Sequence, residues 1–341
     1  MLERFYTKFF IAILPIDNGH ELSITGIKNK KVLFKEHKRF EDSEPSKAFF
    51  TCIQKFTEQS PLYYIALLNP DPNQGAIEGC SSYDIHEEGE ESGAKTLCRK
   101  EKWTLYTSQR ELDRLKGRYA TVGLDFIFSP FSIIEHFFAD KISGDFAMYA
   151  LAQKDSFSVA FFGNGKLEFA HHYPLNSSHM IIEESSVAGF AIDAVHEEEE
   201  KGIRLDDIEN LDDLDIIDEL DDLSDIEDLD ALEEIAEFSE DAPTLEEERS
   251  HEPQGGELKE KMDRFNDDFL RFELIQKTLS KFYAGEHCHN RFIETVYIAD
   301  AYGSGADFKR YLEEELFLNV LIRKIDLGDV VIALAQEEVG R

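Results

Sequence analysis

The sequence predicts an α/β fold with two lobes, and three observations support this prediction. The first is a strand, a glycine turn, an amphipathic helix and a second strand within residues 293–322. The second is the continuous apolar run LYYIALL at residues 62–68, which is typical of a strand covered on both faces. The third is the length of 341 residues, which is enough for two lobes and a large core.

The first third of the chain is predicted to form strands joined by short turns. Apolar runs bounded by turn residues predict strands at residues 9–14, 22–27 and 32–40. The spacing of Phe49, Ile53 and Phe56 predicts a helix over residues 46–56. Residues 69–94 are rich in Pro, Gly, Ser and Glu, and we expect them to form a loop.

The middle of the chain is also predicted to form short strands and helices. Short strands are predicted at residues 103–106 and 123–128, and helices at 108–115 and 131–138. Three further strands are predicted at residues 146–152, 157–162 and 166–171, with the turn GNGK as a hairpin signal. Apolar residues from Met262 to Phe282 alternate by three and four, which predicts a long amphipathic helix before the strand at Val296–Ile298.

Two thirds of the negative charge lies in one segment. Residues 197–249 contain 26 Asp and Glu against 3 Lys and Arg, so they carry −23 of the net −35. The apolar residues of this segment recur at every third position, a period that does not fit a helix. We predict a disordered insertion at residues 197–254, either a solvated linker or an arm that folds on a basic partner. Its field repels phosphates, so nucleic acid and anionic lipid are poor partners.

The cysteines and the N-terminus indicate a cytoplasmic chain. The four cysteines are widely spaced without a CxxC pair, and we predict no disulfide framework: Cys52, Cys80, Cys98 and Cys288. The N-terminal apolar run is short and is closed by Pro15 and Asp17, so it is predicted to be a strand rather than a signal peptide. No run approaches the roughly 18 apolar residues of a membrane-spanning helix.

Catalytic and metal motifs give little support for an enzyme. GxSxG, HExxH and GxxxxGK[ST] are all absent from the sequence. His287, Cys288 and His289 could bind a metal, but adjacent ligands converge poorly and no second cluster accompanies them. We predict no catalytic residue and no metal site.

Three turns could instead hold a nucleotide. Asp17 follows the first strand, but Pro15 removes a backbone donor, and a simple polar hairpin turn is the favoured interpretation. Asp155 lies in a second hairpin turn that contains no glycine, whereas a phosphate cradle normally needs one. Gly303 and Gly305 lie in the turn between strand and helix, where a backbone can approach a ligand closely.

Four stretches resemble the actin-like ATPase superfamily, and within it the type IV pilus protein PilM and the cytoplasmic domain of the type II secretion protein GspL. They are residues 9–34, GLDFIFSPFSIIEHFF, YALAQKDSFSVAFFGNGKLEFAHHYPL, and FELIQKTLSKFY followed by VYIADAYGSGADFKRYLEEELFLNVLI. The resemblance implies a two-lobed, ribonuclease H-like fold. The first lobe would be residues 1–128, and the second would be 129–196 and 255–341, interrupted by the acidic insertion.

The resemblance also implies a function. PilM-like and GspL-like proteins act as non-enzymatic scaffolds, so we expect a cytoplasmic adaptor that binds the short basic tail of an inner-membrane protein and couples it to an assembly ATPase. The nucleotide cleft would be vestigial, with Gly303, Gly305, Asp17 and Asp155 as its remnants and no cofactor. Both phosphate turns depart from the family's Asp-x-Gly pattern, and this chain shows no membrane span of the kind that GspL has.

Two alternatives remain open from the sequence. In one, Asp17, Asp155 and the turn at residues 303–305 bind Mg-nucleotide, and the chain is an ATPase or a switch. In the other, the acidic segment is the main functional part and occupies a basic surface on a partner.

Overall fold

A computed structural model describes residues 6–80, 93–175, 255–285 and 291–340. The described residues within 1–182 and 257–341 form one compact unit. The predicted insertion at residues 197–254 and the group His287, Cys288 and His289 lie outside the described residues. The predicted division into lobes at residue 128 stays a prediction.

The first half of the chain begins with three consecutive strands, and strands and helices are mixed after them. Its elements in chain order are β1 (Lys8–Ile16), β2 (Gly19–Lys28), β3 (Lys31–Phe40), α1 (Lys47–Thr57), β4 (Tyr63–Leu68), β5 (Gly75–Glu78), β6 (Ala94–Arg99), β7 (Trp103–Ser108), α2 (Gln109–Arg118), β8 (Phe126–Phe128), α3 (Pro130–Phe137) and α4 (Ala139–Ile142). Ser46 and Ser108 begin α1 and α2 as N-caps, since each side chain accepts a backbone N–H three residues on.

The second half has a simpler order, three strands followed by alternating helices and strands. Its elements are β9 (Ala147–Ala152), β10 (Ser156–Gly163), β11 (Lys166–Pro174), α5 (Gly255–Ala284), β12 (Thr295–Asp300), α6 (Ala306–Glu315), β13 (Asn319–Lys324) and α7 (Leu327–Gly340). The predicted long helix and the strand–turn–helix–strand unit are thus confirmed as α5 to β13. None of the helices in the described ranges is long and apolar enough to cross a membrane.

Two five-stranded sheets have the same plan. One has the order β3-β2-β1-β4-β8 and the other β11-β10-β9-β12-β13. In each, the first three strands in sequence form an antiparallel meander. The fourth strand pairs in parallel with the first, and the fifth pairs in parallel with the fourth. This plan is that of a ribonuclease H-like lobe, and its occurrence twice in one chain confirms the predicted two-lobed actin-like fold.

Helices cover both faces of the sheets because alternate residues of a strand point to opposite faces, and both sets are apolar. In β1, Phe9, Ile11 and Ile13 pack with α1 and the end of α2, whereas Phe10, Ala12 and Leu14 face the opposite way. That opposite face joins residues of α3, α7 and the second sheet in one core. The outer face of the second sheet packs on α5 and α6.

The last helix, α7, was not predicted from the sequence, yet it holds the first sheet to the rest of the chain. It packs on β1, β2 and β4, and its start lies close to β2. A Cβ at Gly328 would lie 1.9 Å from the Ser23 hydroxyl, so only glycine permits this approach. Lys35 of β3 also donates to the Asp329 carboxylate at 2.6 Å.

A small antiparallel sheet, ordered β5-β7-β6, corrects two predictions. Residues 69–94 were expected to be loop, but β5 lies within them and pairs with β7. No disulfide was expected, but Cys80 and Cys98 are bonded, with their Cα atoms 5.3 Å apart. A sequence separation of 18 residues contains no pairing signal; only the three-stranded sheet brings these cysteines together.

Candidate functional site

A cavity of about 290 Å³ lies where the tips of two hairpins meet, beyond the ends of β1 and β9. Asp17 reaches it from the β1–β2 turn and Asp155 from the β9–β10 turn. Its apolar wall consists mainly of proline and aliphatic residues: Pro15, Ile16, Leu68, Pro70, Pro72 and Pro174. The cavity lies just below the roughly 300–1,000 Å³ that is typical of small-molecule pockets, so it suits one or two side chains.

The Asp155 carboxyl is the least satisfied polar group of this cavity. Its Oδ1 is buried and has no hydrogen-bond partner. Burial raises the pKa of Asp155 to about 6, and the Asp17 carboxylate adds to the rise while the Asp17 backbone amide opposes it. The structure therefore brings together two predicted residues, Asp17 and Asp155, as neighbouring carboxyl groups from opposite hairpins.

The cationic and imidazole groups of the cavity are already engaged. Arg118 donates to the Glu44 carboxylate at 2.7 Å, which compensates its charge. His172 is 9% exposed, its Nδ1 lies 2.8 Å from the Ser158 hydroxyl, and burial lowers its pKa to about 4. His172 is therefore neutral near pH 7, and Asp17 and Asp155 leave a negative formal charge among the residues that line the cavity.

One side of the cavity is fixed by a buried polar network after β4. The Asp71 carboxylate accepts from the Thr107 hydroxyl at 2.6 Å and from the backbone amides of Asn73 and Ser108. The Gln74 side chain donates to the carbonyls of Asn69 and Asp71. Because the described donors and acceptors of this network are paired, it positions Asn69 and its neighbouring prolines as a rigid wall.

The predicted glycine turn between β12 and α6 has its backbone amides occupied by carboxylates. Asp300 accepts from the amides of Tyr302, Gly303 and Ser304 at 2.8–3.0 Å. The Gly305 amide donates to Asp268 of α5 at 2.8 Å, and a Cβ at Gly305 would lie 2.9 Å from that carboxylate oxygen. Neither glycine lines the cavity that holds Asp17 and Asp155.

Arg271 of α5 joins this turn to the second hairpin. It is 0% exposed, and it donates to the carbonyl of Gln153 at 2.7 Å and to that of Asp267 at 2.9 Å. Its guanidinium carbon lies 4.2 Å from the centre of the Tyr302 ring. Burial raises the pKa of Tyr302 to about 12, and its hydroxyl donates to Asp267.

The charges of this buried group are unevenly satisfied. Burial lowers the pKa of Arg271 and raises that of Asp268. The Nε of Arg271, the Oδ1 of Asp268 and the Ser304 hydroxyl are buried without a hydrogen-bond partner. Sequence analysis missed Asp268, Arg271 and Asp300, and the pair of acids one turn before an arginine on α5 was the signal that could have identified them.

Several backbone groups near the predicted nucleotide turns are already bonded within the chain. The amides that could face an anion at the glycine turn are bonded to Asp300 and Asp268, and the Gln153 carbonyl of the second hairpin is bonded to Arg271. The hairpin tips place the Asp17 and Asp155 carboxylates at the cavity, and carboxylates repel a phosphate. Among the described residues, no group of three or more His, Cys, Asp and Glu side chains is placed to hold a metal ion.

Two family models match the chain. The model of a family described as "Domain of unknown function (DUF8341)" matches residues 148–340, more than half of the chain. A model described as "Domain of unknown function (DUF8569)" matches residues 5–135. No curated protein matches the sequence.

Several solved structures are similar over nearly the whole chain. A "PilM-PilN type IV pilus biogenesis complex" matches with 10% identity and a TM-score of 0.47, covering 98% of both chains. A Bacteroides thetaiotaomicron protein "with actin-like ATPase fold and unknown function" matches with 10% identity, 96% coverage of both chains and a TM-score of 0.42. The ethanolamine utilization protein EutJ from Carboxydothermus hydrogenoformans matches with 10% identity and a TM-score of 0.37, covering 97% of this chain and 91% of its own. Similarities of this size carry no information on activity, and the fold assignment rests on the strand order and register above.

Proposed function

We propose that this chain, which belongs to the family described as "Domain of unknown function (DUF8341)", is a non-enzymatic adaptor whose cleft holds a basic segment of a partner protein. The observation that carries the proposal is the meeting of Asp17 and Asp155 at one cavity, where the buried Oδ1 of Asp155 lacks a partner. A buried carboxylate of this kind is stabilised by a charged donor.

The chemistry of the cavity favours a Lys or Arg side chain over a phosphate. Asp17 and Asp155 bring negative charge to the lining of the cavity, and Arg118 is already paired with Glu44. An anion would meet like charge there, whereas a guanidinium or ammonium would meet two carboxylates. The proline and aliphatic wall would hold the apolar stem of such a side chain.

The setting of the adaptor follows from the sequence resemblance to PilM-like and GspL-like proteins. We propose that it works in a type IV pilus or type II secretion-like assembly platform, peripheral to the inner membrane through its partner. Cytoplasmic tails of inner-membrane proteins are enriched in Lys and Arg, which matches the charge of the cavity. The assembly ATPase would be a second partner, and the chain itself would need neither nucleotide nor metal.

A peptide-binding experiment tests this proposal. Fluorescence anisotropy of a labelled peptide of Arg, Lys and Leu should show salt-sensitive binding to the full chain. The double variant Asp17→Asn, Asp155→Asn should raise the Kd about tenfold, which corresponds to about 1.4 kcal/mol. The matched control Asp140→Asn, Asp145→Asn removes the same charge from exposed positions away from the cavity, and it should leave the Kd within about twofold.

Two results would contradict the adaptor. Equal weakening by both double variants would mean that net charge, and not the cavity, attracts the peptide. Hydrolysis of Mg-ATP that disappears on Asp17→Ala or Asp155→Ala would favour the alternative of an actin-like ATPase.

A further inference from the structure

A second cavity has the opposite chemical character and lies away from the hairpin tips. This groove, of about 560 Å³, lies between the start of β1, the β2–β3 turn and the end of α7. Its floor and wall are apolar, formed by Phe10, Ile27, Val32 and Val339. Lys8 and Lys30 lie at its rim, and none of the described residues that line it is acidic.

The positive charge of this groove is unusual for the molecule. The whole chain carries a net charge of −35, whereas the β2–β3 turn alone brings Lys28, Lys30 and Lys31 close together. Lys30 and Lys31 are exposed and stand at the edge of the sheet. A local field of this kind attracts carboxylates over about one Debye length, roughly 8–10 Å at physiological salt.

A β-bulge directs an apolar side chain into the groove. The β2–β3 register shifts after Gly26, so that Gly26 pairs with Phe34 and Ile27 pairs with Val32. Val32 consequently lines the groove while its neighbour Leu33 does not, although they are 55% and 56% exposed. Two consecutive exposed aliphatic residues beside lysines form a surface that is apolar at its centre and cationic around it.

We propose that this lysine-rimmed groove docks an acidic, aliphatic segment of a partner protein. Charge complementarity selects the acidic residues of the segment, and the apolar floor of Phe10 and Ile27 receives a Leu or Ile side chain. A peptide is favoured over a lipid because β3 is an edge strand that pairs only with β2 among the described residues. A peptide backbone can supply hydrogen bonds to such an edge, and an acyl chain cannot.

Neighbouring residues provide matched variants for the test. The probe is a fluorescein-labelled peptide of repeated Asp-Asp-Leu triplets, titrated with the full chain. Val32→Asp should raise its Kd at least about tenfold, because it replaces an apolar contact of the groove with a carboxylate that repels the acidic peptide. Leu33→Asp introduces the same charge next to the groove but outside its lining, and it should change the Kd much less.

The basic rim is tested in the same way. Lys30→Gln should raise the Kd about three- to fivefold and reduce its salt dependence, whereas Lys31→Gln should alter both less. A control peptide of Lys-Lys-Leu triplets, which we expect to bind at the Asp17 and Asp155 cavity, should keep its Kd in the Val32→Asp and Lys30→Gln variants. Equal effects of Val32→Asp and Leu33→Asp would overturn the proposal. So would binding to phosphatidylglycerol vesicles without binding to the acidic peptide.

Discussion

The sheets of the two lobes have the same strand order, but the lobes differ in the polar residues that they bury. In each, a serine on the second strand of the meander lies opposite a histidine on the third, 14 residues later: Ser23 with His37, and Ser158 with His172. The oxygen–nitrogen distances are 2.9 and 2.8 Å, and each hairpin has a bulge three residues beyond its serine. His37 is exposed, however, whereas His172 is buried at the cleft.

The two lobes also differ in the buried polar groups near the cleft. The first lobe contributes a network in which neutral donors surround one carboxylate, Asp71. The second lobe contributes a buried charged group around Arg271, in which several polar atoms lack partners. A common sheet plan therefore does not imply that the two lobes bury the same polar groups.

The largest expected effect is on the free energy of unfolding. It compares the loss of a buried arginine in the second lobe with the loss of an exposed arginine in the first. Arg271→Ala leaves Asp268 and Asp300 buried without their cation, and we expect a loss of about 3–5 kcal/mol in the free energy of unfolding. Arg39→Ala removes an exposed arginine that pairs with Glu21 in the first lobe, and it should cost less than about 1 kcal/mol. Urea unfolding measures both, and equal losses would remove the contrast between the lobes.

The serine pair gives the next largest difference. Ser158→Ala leaves the buried Nδ1 of His172 without its partner, and it should cost about 1–3 kcal/mol. Ser23→Ala allows water to replace the hydroxyl at the exposed His37. Its cost in the free energy of unfolding should be about 1 kcal/mol smaller than that of Ser158→Ala. If unfolding measurements gave the opposite order, burial would not distinguish the two pairs.

Asp155 gives a smaller, pH-dependent effect. Its pKa rises from 3.8 to about 6 on folding, so the folded state binds the proton more tightly than the unfolded chain. Its favourable contribution is full below pH 3.8 and is lost as the pH rises through about 6. Asp155→Asn should therefore raise the free energy of unfolding by about 1–2 kcal/mol at pH 8, and by little at pH 4. A stabilisation that is independent of pH would contradict this assignment.

The smallest expected effect is that of Asp17 on the pKa of Asp155. Asp17 is the secondary cause of the raised pKa, after burial. Asp17→Asn should therefore lower the midpoint of the Asp155 titration, followed by carboxyl NMR, without returning it to 3.8. An unchanged midpoint would show that the two hairpin tips do not interact.

The sequence was sufficient for the two five-stranded sheets because their signals are local. Apolar runs, the GNGK turn and the spacing within α5 each lie within one element, and the structure confirms them. Helix α7 has mostly apolar residues on all sides, such as Val331, Ile332 and Leu334, so it lacks the amphipathic pattern that would have predicted it.

The site was only partly predictable because its contacts are distant in the sequence. Asp17 and Asp155 were named as candidates, but nothing local indicates that their hairpin tips meet. Arg271 binds the Gln153 carbonyl across 118 residues, and the Cys80–Cys98 bond depends on a strand that the sequence pattern did not reveal. Such pairings depend on tertiary structure, which propensity and periodicity do not encode.

Thermal melting with and without Mg-ATP tests the central claim most directly, namely that the cleft has kept its shape and no longer binds phosphate. A bound ligand at 100 times its Kd adds about 2.7 kcal/mol, which would raise Tm by about 2–4 °C in a chain of this size. We predict no shift with Mg-ATP and a shift with the Arg-, Lys- and Leu-containing peptide. A rise with Mg-ATP that disappears in Asp17→Ala or Asp155→Ala would contradict the claim.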